Sequence, residues 1–194
     1  MIKNERMQEE IFMLYIMRHG RTDWNDACKL QGRTDIPLNE AGRCMAGEAA
    51  ERYREIPFDV CFCSPLIRAR ETAEIVLKGR DLPILLDDRL KEMSFGICEG
   101  SENVFENPDS PVYTLFKDPP HYVAPEGAES FAELFARTGS FLKEVVEPAL
   151  QEGKDILIVG HGAMNSSIVC QIRNLPLEEF WSAGIESCKL MRLI

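Results

Sequence analysis

The chain has 194 residues, 45% hydrophobic and 28% charged, which fits one filled core and excludes a disordered chain, a repeat array or a collagen-like one. A formal net charge of -10 argues against nucleic-acid and membrane-surface partners, since an acidic surface repels polyanions and no basic amphipathic stretch is present. A small anionic substrate stays open, because a few arginines can reverse the field inside a pocket.

The seven cysteines are odd in number and form no C-x-x-C, which points to free thiols and a cytoplasmic location. The polar Met1–Glu10 lacks the apolar core of a signal peptide, and no apolar run is long enough to span a bilayer. Phe12 to Met17 is a compact apolar run ending at Arg18-His19-Gly20 and reads as a buried strand. A polar loop leads to Asn39, placed as the N-cap of a helix. Its apolar face is Ala41, Met45, Ala49 and Tyr53, with Ala46 and Ala50 beside them, and it ends before Pro57. Phe58 to Cys63 is a second strand, with Cys61 and Cys63 taken to face opposite sides. Ser64-Pro65 opens a helix with proline in its first turn, Leu66, Ala69, Ala73, Val76 and Leu77 as its stripe, and Gly79 as its C-cap. Pro83 to Leu86 is a short third strand.

Residues 94–125 include Pro108, Pro111, Pro119, Pro120 and Pro125, so regular structure there is brief and the excursion is expected to be a lid. An amphipathic helix follows, with Phe131, Leu134, Phe135, Leu142, Val145 and Val146 turned inward. Ile156 to Val159 is the most apolar strand and ends at Gly160-His161-Gly162. A helix to about Asn174, a short one around Leu177 to Trp181, and an edge strand from Ser187 to Ile194 complete the chain. That edge suits a monomer or a homodimer equally. The alternation implies an α/β fold: one domain over 1–194, a three-layer α/β/α sandwich with a mainly parallel sheet and helices on both faces.

Of three histidines, His19 and His161 share one setting: each follows a buried strand and precedes a glycine. Sites in parallel sheets form at the carboxyl ends of strands, so the two can face one pocket. Arg18 ends a buried strand, where an unpaired guanidinium is costly and a bound anion would relieve it. Arg68 lies in the first turn of its helix, where anions are already favoured. His121, Arg70, Arg80 and Arg89 read as solvated. Glu92 alone is an ordinary loop glutamate.

In chain order, R-H-G-R-T-D-W-N at 18–25, Q-G-R-T-D-I-P-L-N-E-A-G at 31–42, S-P-L-I-R-A-R-E-T-A at 64–73, E-M-S-F-G-I-C-E-G at 92–100, G-A-E-S-F at 127–131 and V-G-H-G at 159–162 resemble the histidine phosphatase superfamily, in its phosphoglycerate mutase-like branch. The resemblance implies that His19 is the nucleophile and that Arg18, Arg68 and His161 hold the phosphoryl oxygens. It implies that Asn25 and the Gly162 backbone complete the cradle, that Glu92 is the acid and then the base, and that Thr22 and Gln31 lie near the substrate. No metal or cofactor is implied. Two departures are Cys98, where an aromatic residue is frequent, and the extra alanine between Gly127 and Glu129.

Mutases of this superfamily typically carry a longer insertion, a closing tail and an R-H-Y-G sequence near the glutamate. Here the acid loop has no R-H-Y-G and the sequence stops at Ile194, so hydrolysis of a small phosphomonoester is expected. Mutase-type transfer and a non-catalytic phosphoester-binding protein are the alternatives. The compact size and the G-A-E-S segment resemble the α-ribazole phosphatase-like group, and equally the broad-specificity phosphatases of small metabolites. Phe105, Tyr113, Phe116 and Tyr122 either wall the pocket or form the lid's own core, the latter being preferred.

Overall fold

The computed structural model describes residues 12–194, so Met1–Glu10 lies outside the described residues. In chain order come β1 (Leu14–Arg18), α1 (Asp23–Asp26), α2 (Glu40–Arg52), β2 (Val60–Cys63), α3 (Ile67–Val76) and β3 (Ile84–Leu86). They are followed by α4 (Tyr113–Lys117), α5 (Phe131–Phe141), α6 (Glu147–Gln151), β4 (Ile156–Gly160), α7 (Gly162–Arg173) and β5 (Leu190–Arg192). The five strands are ordered β3-β2-β4-β1-β5, the first four parallel and β5 antiparallel against β1.

β1 and β4 sit in the middle of the sheet, and every residue of β4 is buried. Two apolar layers cover the faces, as the α/β reading requires. On one side Ala46 and Ala49 of α2 and Ala69, Ala73 and Val76 of α3 pack on Met17, Cys61, Cys63 and Val159. On the other, Phe141, Val146, Met164 and Ile168 pack on Leu14, Ile16, Ile156 and Ile158. Each large aliphatic residue withdrawn from water here contributes about 1.5–3 kcal/mol before entropy is charged against it.

Several local expectations shift. Cys61 and Cys63 share a face rather than opposing each other, because alternation has a period of two residues. Pro65 lies outside α3, which starts at Ile67 with Leu66 as N-cap. That helix ends at Leu77, and Gly79 turns the chain two residues later with φ of 81°. Arg80 is tied down, donating to the carbonyls of Ile56 and Tyr53 at 2.7 and 2.6 Å. Arg89 likewise pairs with Asp87 and Glu144. Beyond Phe141 the expected helix widens into a π segment, Leu142–Val146, before Pro148 in the first turn of α6.

On α2, Asn39 is the cap, accepting from the Gly42 N–H at 2.9 Å. The buried positions are Gly42, Ala46 and Ala49, while Ala41 is exposed, so the face is rotated by one residue. The cause is a backbone crossing: a Cβ on Gly42 would strike the Arg21 carbonyl, and one on Gly20 would lie 2.6 Å from the Gly42 oxygen. The loop carrying His19 therefore rests directly on the start of α2. Gly42→Ala is expected to cost roughly 2–3 kcal/mol, by overpacking against backbone that cannot yield, read as a lowered urea midpoint at unchanged slope.

Residues 94–125 hold only α4 and two 3₁₀ turns. The segment is nevertheless packed: Phe95, Cys98, Val104, Val112 and Leu115 form a third core with Phe131 and Leu134 of α5, Ala163 and Cys170 of α7, and Phe180. Cys98, at a place where the resembled family often carries an aromatic residue, thus fills an apolar core.

Candidate active site

The sheet brings the two histidines together. Arg18 is in register with Gly160, and the His19 N–H donates to the Gly160 carbonyl at 3.0 Å, so His19 and His161 leave adjacent parallel strands side by side. Their ring centroids are 5.1 Å apart. His19 is 3% exposed, and its Nδ1 lies 2.7 Å from the Gly20 carbonyl. A carbonyl only accepts, so Nδ1 carries the proton and Nε2 carries the lone pair.

Arg68 is fully buried and holds that lone pair, its Nε 3.3 Å from His19 Nε2. Nη1 donates to the Thr34 carbonyl at 2.9 Å and Nη2 to that of Gly32 at 2.6 Å. Those three contacts use three of five N–H groups, leaving two for an anion. Burial lowers the Arg68 pKa to about 10. Burial first, and then the charges of Arg68 and Arg18, hold His19 well below the ordinary imidazole value. His161 is lowered in the same way, again chiefly by burial.

Glu92 closes the opposite wall. Its Oε1 accepts from the N–H groups of Met93 and Met164 at 2.9 and 3.0 Å, and its Oε2 from that of Ala163 at 3.3 Å. The carboxylate therefore sits on the N-terminus of α7, where helix N–H groups favour negative charge. Asn25 is oriented by α1: its Oδ1 accepts from the Thr22 N–H and hydroxyl, both at 3.1 Å, which leaves its NH₂ to donate.

One cavity of about 270 Å³ is lined by Arg18, His19, Asn25, Gln31, Arg68, Glu92 and Gly162. Thr22 is fully buried in the α1 capping box and lies behind Asn25, outside that lining. His161 is also fully buried, beneath the lining. Arg18 Nε and His161 Nδ1 are buried without a hydrogen-bond partner. Orphaned buried polar atoms are expensive, and an anion in this cavity would satisfy the Arg18 Nε–H. Among the described residues no group of three or more His, Cys, Asp or Glu could hold a metal ion.

A family model described as the histidine phosphatase superfamily, branch 1, matches residues 14–194. The chain belongs to that superfamily. Over 157 residues it is 36% identical to the uncharacterized phosphatase PhoE of Bacillus subtilis, covering 81% of this chain and 75% of that one. Over 182 residues it is 30% identical to 2,3-bisphosphoglycerate-dependent phosphoglycerate mutase 2 of Gloeobacter violaceus, covering 91% and 82%. The solved structure of the α-ribazole phosphatase from Shigella flexneri matches with a TM-score of 0.81 at 27% identity, over 93% of this chain and 89% of that one.

Within this histidine phosphatase, the outer cavity is lined by residues that motif reading missed: Lys29, Leu30, Phe95 and Trp181. Phe105 and Phe116 join them from the 94–125 segment, whereas Tyr122 packs on Phe131, so that segment's aromatics divide between wall and core. Trp181 stacks on Phe116 at 5.4 Å and donates its Nε1 proton to the Leu115 carbonyl at 2.8 Å. No sequence signal announces Trp181, since its partner lies 66 residues away. His121 is exposed, and Asp118 raises its pKa, in keeping with a solvated loop residue.

The buried imidazoles set the pH behaviour. Burial holds both well below 6.5, so His19 is neutral at pH 6.5, and kcat/KM, corrected for ionisation of the substrate phosphate, is expected to hold level there. Its acid limb is expected at lower pH. Stability moves with the same groups. Below pH 6.5 the unfolded chain takes protons that the folded rings refuse, so their contribution is full above that value and falls as the solution is acidified. The loss approaches about 1.4 kcal/mol per pH unit for each ring, measurable as a falling urea midpoint between pH 6.5 and 5.

Proposed function

We propose that this chain is a metal-independent phosphomonoesterase that carries the phosphoryl group on His19 Nε2. The observation that carries the reading is the Nδ1 contact to the Gly20 carbonyl, which leaves Nε2 as the unprotonated atom beside Arg68. In the first step the Nε2–P bond forms and the P–O bond to the leaving alcohol breaks, and the proton that the ester monoanion brings into the site passes by way of Glu92 to the alcohol oxygen. In the second, water oxygen bonds to phosphorus, the Nε2–P bond breaks, and Glu92 takes the water's proton. Arg18, Arg68, His161, the Asn25 amide and the Gly162 N–H hold the three phosphoryl oxygens as charge builds on them.

The character of the outer cavity favours hydrolysis over mutase-type transfer. A bisphosphorylated intermediate needs a second cationic cradle. Here the far end offers Phe95, Phe105, Phe116 and Trp181, with Lys29 as its cation, and Lys29 is paired with Glu102 at 3.4 Å. A small monophosphate ester with a partly apolar alcohol fits this wall. Seven free cysteines support a reducing, cytoplasmic setting, and among the described residues no helix is long and apolar enough to cross a membrane.

The test is phosphate release from a panel of monoesters in EDTA, joined to alkaline trapping of phosphohistidine. Release in EDTA with a trapped adduct on His19 supports the proposal. Interconversion of phosphoglycerates without net release would establish the mutase alternative. Binding of phosphate esters with neither turnover nor adduct would leave a binding protein.

A further inference from the structure

Ser64 follows β2, is fully buried, and has no part in the phosphoryl cradle described above. Its Oγ lies 2.7 Å from His161 Nε2, and it accepts a hydrogen bond from the Leu66 N–H at 3.3 Å. The other ring nitrogen, His161 Nδ1, is buried and has no partner. The histidine can hold its single proton on either nitrogen, and the two choices differ in what they leave unsatisfied.

With the proton on Nδ1, Ser64 Oγ–H donates to Nε2 while Oγ accepts from Leu66, and Nδ1–H is free to donate. With the proton on Nε2, Ser64 receives two donors, its own hydroxyl proton loses its acceptor on the ring, and an unprotonated Nδ1 is left beside a bound anion. Both consequences are unfavourable in a site this deeply buried. We infer that Ser64 is a positioning residue: through Leu66 N–H, Ser64 Oγ and His161 Nε2 it fixes the second histidine as an Nδ1–H donor for the phosphoryl group. The inference deepens the phosphatase reading and rests on it for the identity of the anion. The tautomer itself can be read without turnover.

The experiment uses protein labelled with ¹⁵N in its histidine rings, studied at neutral pH. Three histidines make assignment simple, by comparison with His121→Asn and His161→Asn. In the wild type the His161 Nε2 signal is expected in the unprotonated range and Nδ1 in the protonated range. The opposite pattern overturns the inference before any variant is made. In Ser64→Ala the His161 signals are expected to move toward the Nε2–H tautomer or to average between the two, with the His19 signals unmoved. Over the same substitution kcat falls roughly tenfold, the worth of one hydrogen bond.

Ser64→Thr keeps a hydroxyl and is expected to restore the tautomer. A purely structural role would lower the urea midpoint of Ser64→Ala while leaving the His161 tautomer alone, and that result also overturns the inference. If the tautomer behaves as stated but no phosphate ester is turned over, the positioning role stands and the phosphatase reading is what fails.

Discussion

Exchanging His19 for alanine is expected to lower phosphate release by roughly 10⁴-fold or more, because removing a covalent nucleophile takes away the whole two-step path. No other group lining the cavity offers a comparable attacking atom. Glu92 is held by the N–H groups of Met93, Ala163 and Met164, and the cysteines of β2, Cys61 and Cys63, lie outside the lining, where burial pushes their thiol pKa values up. What remains in the variant is direct attack by water within the cradle, which accounts for a small residual rate. The variant should still bind phosphate or vanadate, since Arg18, Asn25 and the Gly162 N–H do not depend on the imidazole. Single-turnover quench with alkaline trapping measures the loss of rate and adduct, and titration with phosphate or vanadate measures the retained binding. Retention of even a tenth of wild-type turnover, or an adduct still forming in the variant, would place the nucleophile elsewhere.

The frame of the candidate site is legible in the sequence because its parts are local. A short apolar run followed by His-Gly tells where a strand stops and what stands at its end, and it does so twice, at His19 and His161. The parallel register of β1 and β4 then does the rest, setting the two side by side. What the sequence does not disclose depends on partners far apart along the chain. Arg68 donates to Gly32 and Thr34, more than thirty residues away, and Ser64 meets His161 across 97 residues. Trp181 enters the cavity only because its ring is held on α4. The rotation of the α2 face has the same origin. Periodicity assigns a stripe to the helix alone, whereas the contact that decides the matter is between Gly42 and the backbone at Arg21.

The second large effect is expected at Arg68, and it should appear in two observables at once. Its guanidinium joins the nucleophile to the loop around Gly32 and Thr34, with distances of 3.3, 2.6 and 2.9 Å to its three acceptors. Arg68→Ala strands the buried Gly32 carbonyl and the partly buried Thr34 carbonyl and leaves a hole at the start of α3, which together should lower stability by roughly 3 kcal/mol. It also removes two N–H groups and a full charge from the developing phosphoryl charge, which should lower kcat by about 10²–10³-fold.

Arg68→Lys separates the two contributions. An ammonium can supply the charge but cannot reach His19 and both carbonyls from one planar fork, so most of the loss in kcat should persist while part of the stability returns. The pH profile gives a third reading. Burial is the larger cause of the low His19 pKa and the Arg68 charge the next, so the alanine variant should bring the acid limb of kcat/KM to higher pH than in the wild type, and the lysine variant should shift it less. If kcat in the alanine variant stays within threefold and the acid limb does not move, Arg68 is a brace for the 31–34 loop and no part of the phosphoryl site. If kcat falls and the limb rises together, the same guanidinium both keeps the nucleophile unprotonated and receives the charge that its attack creates.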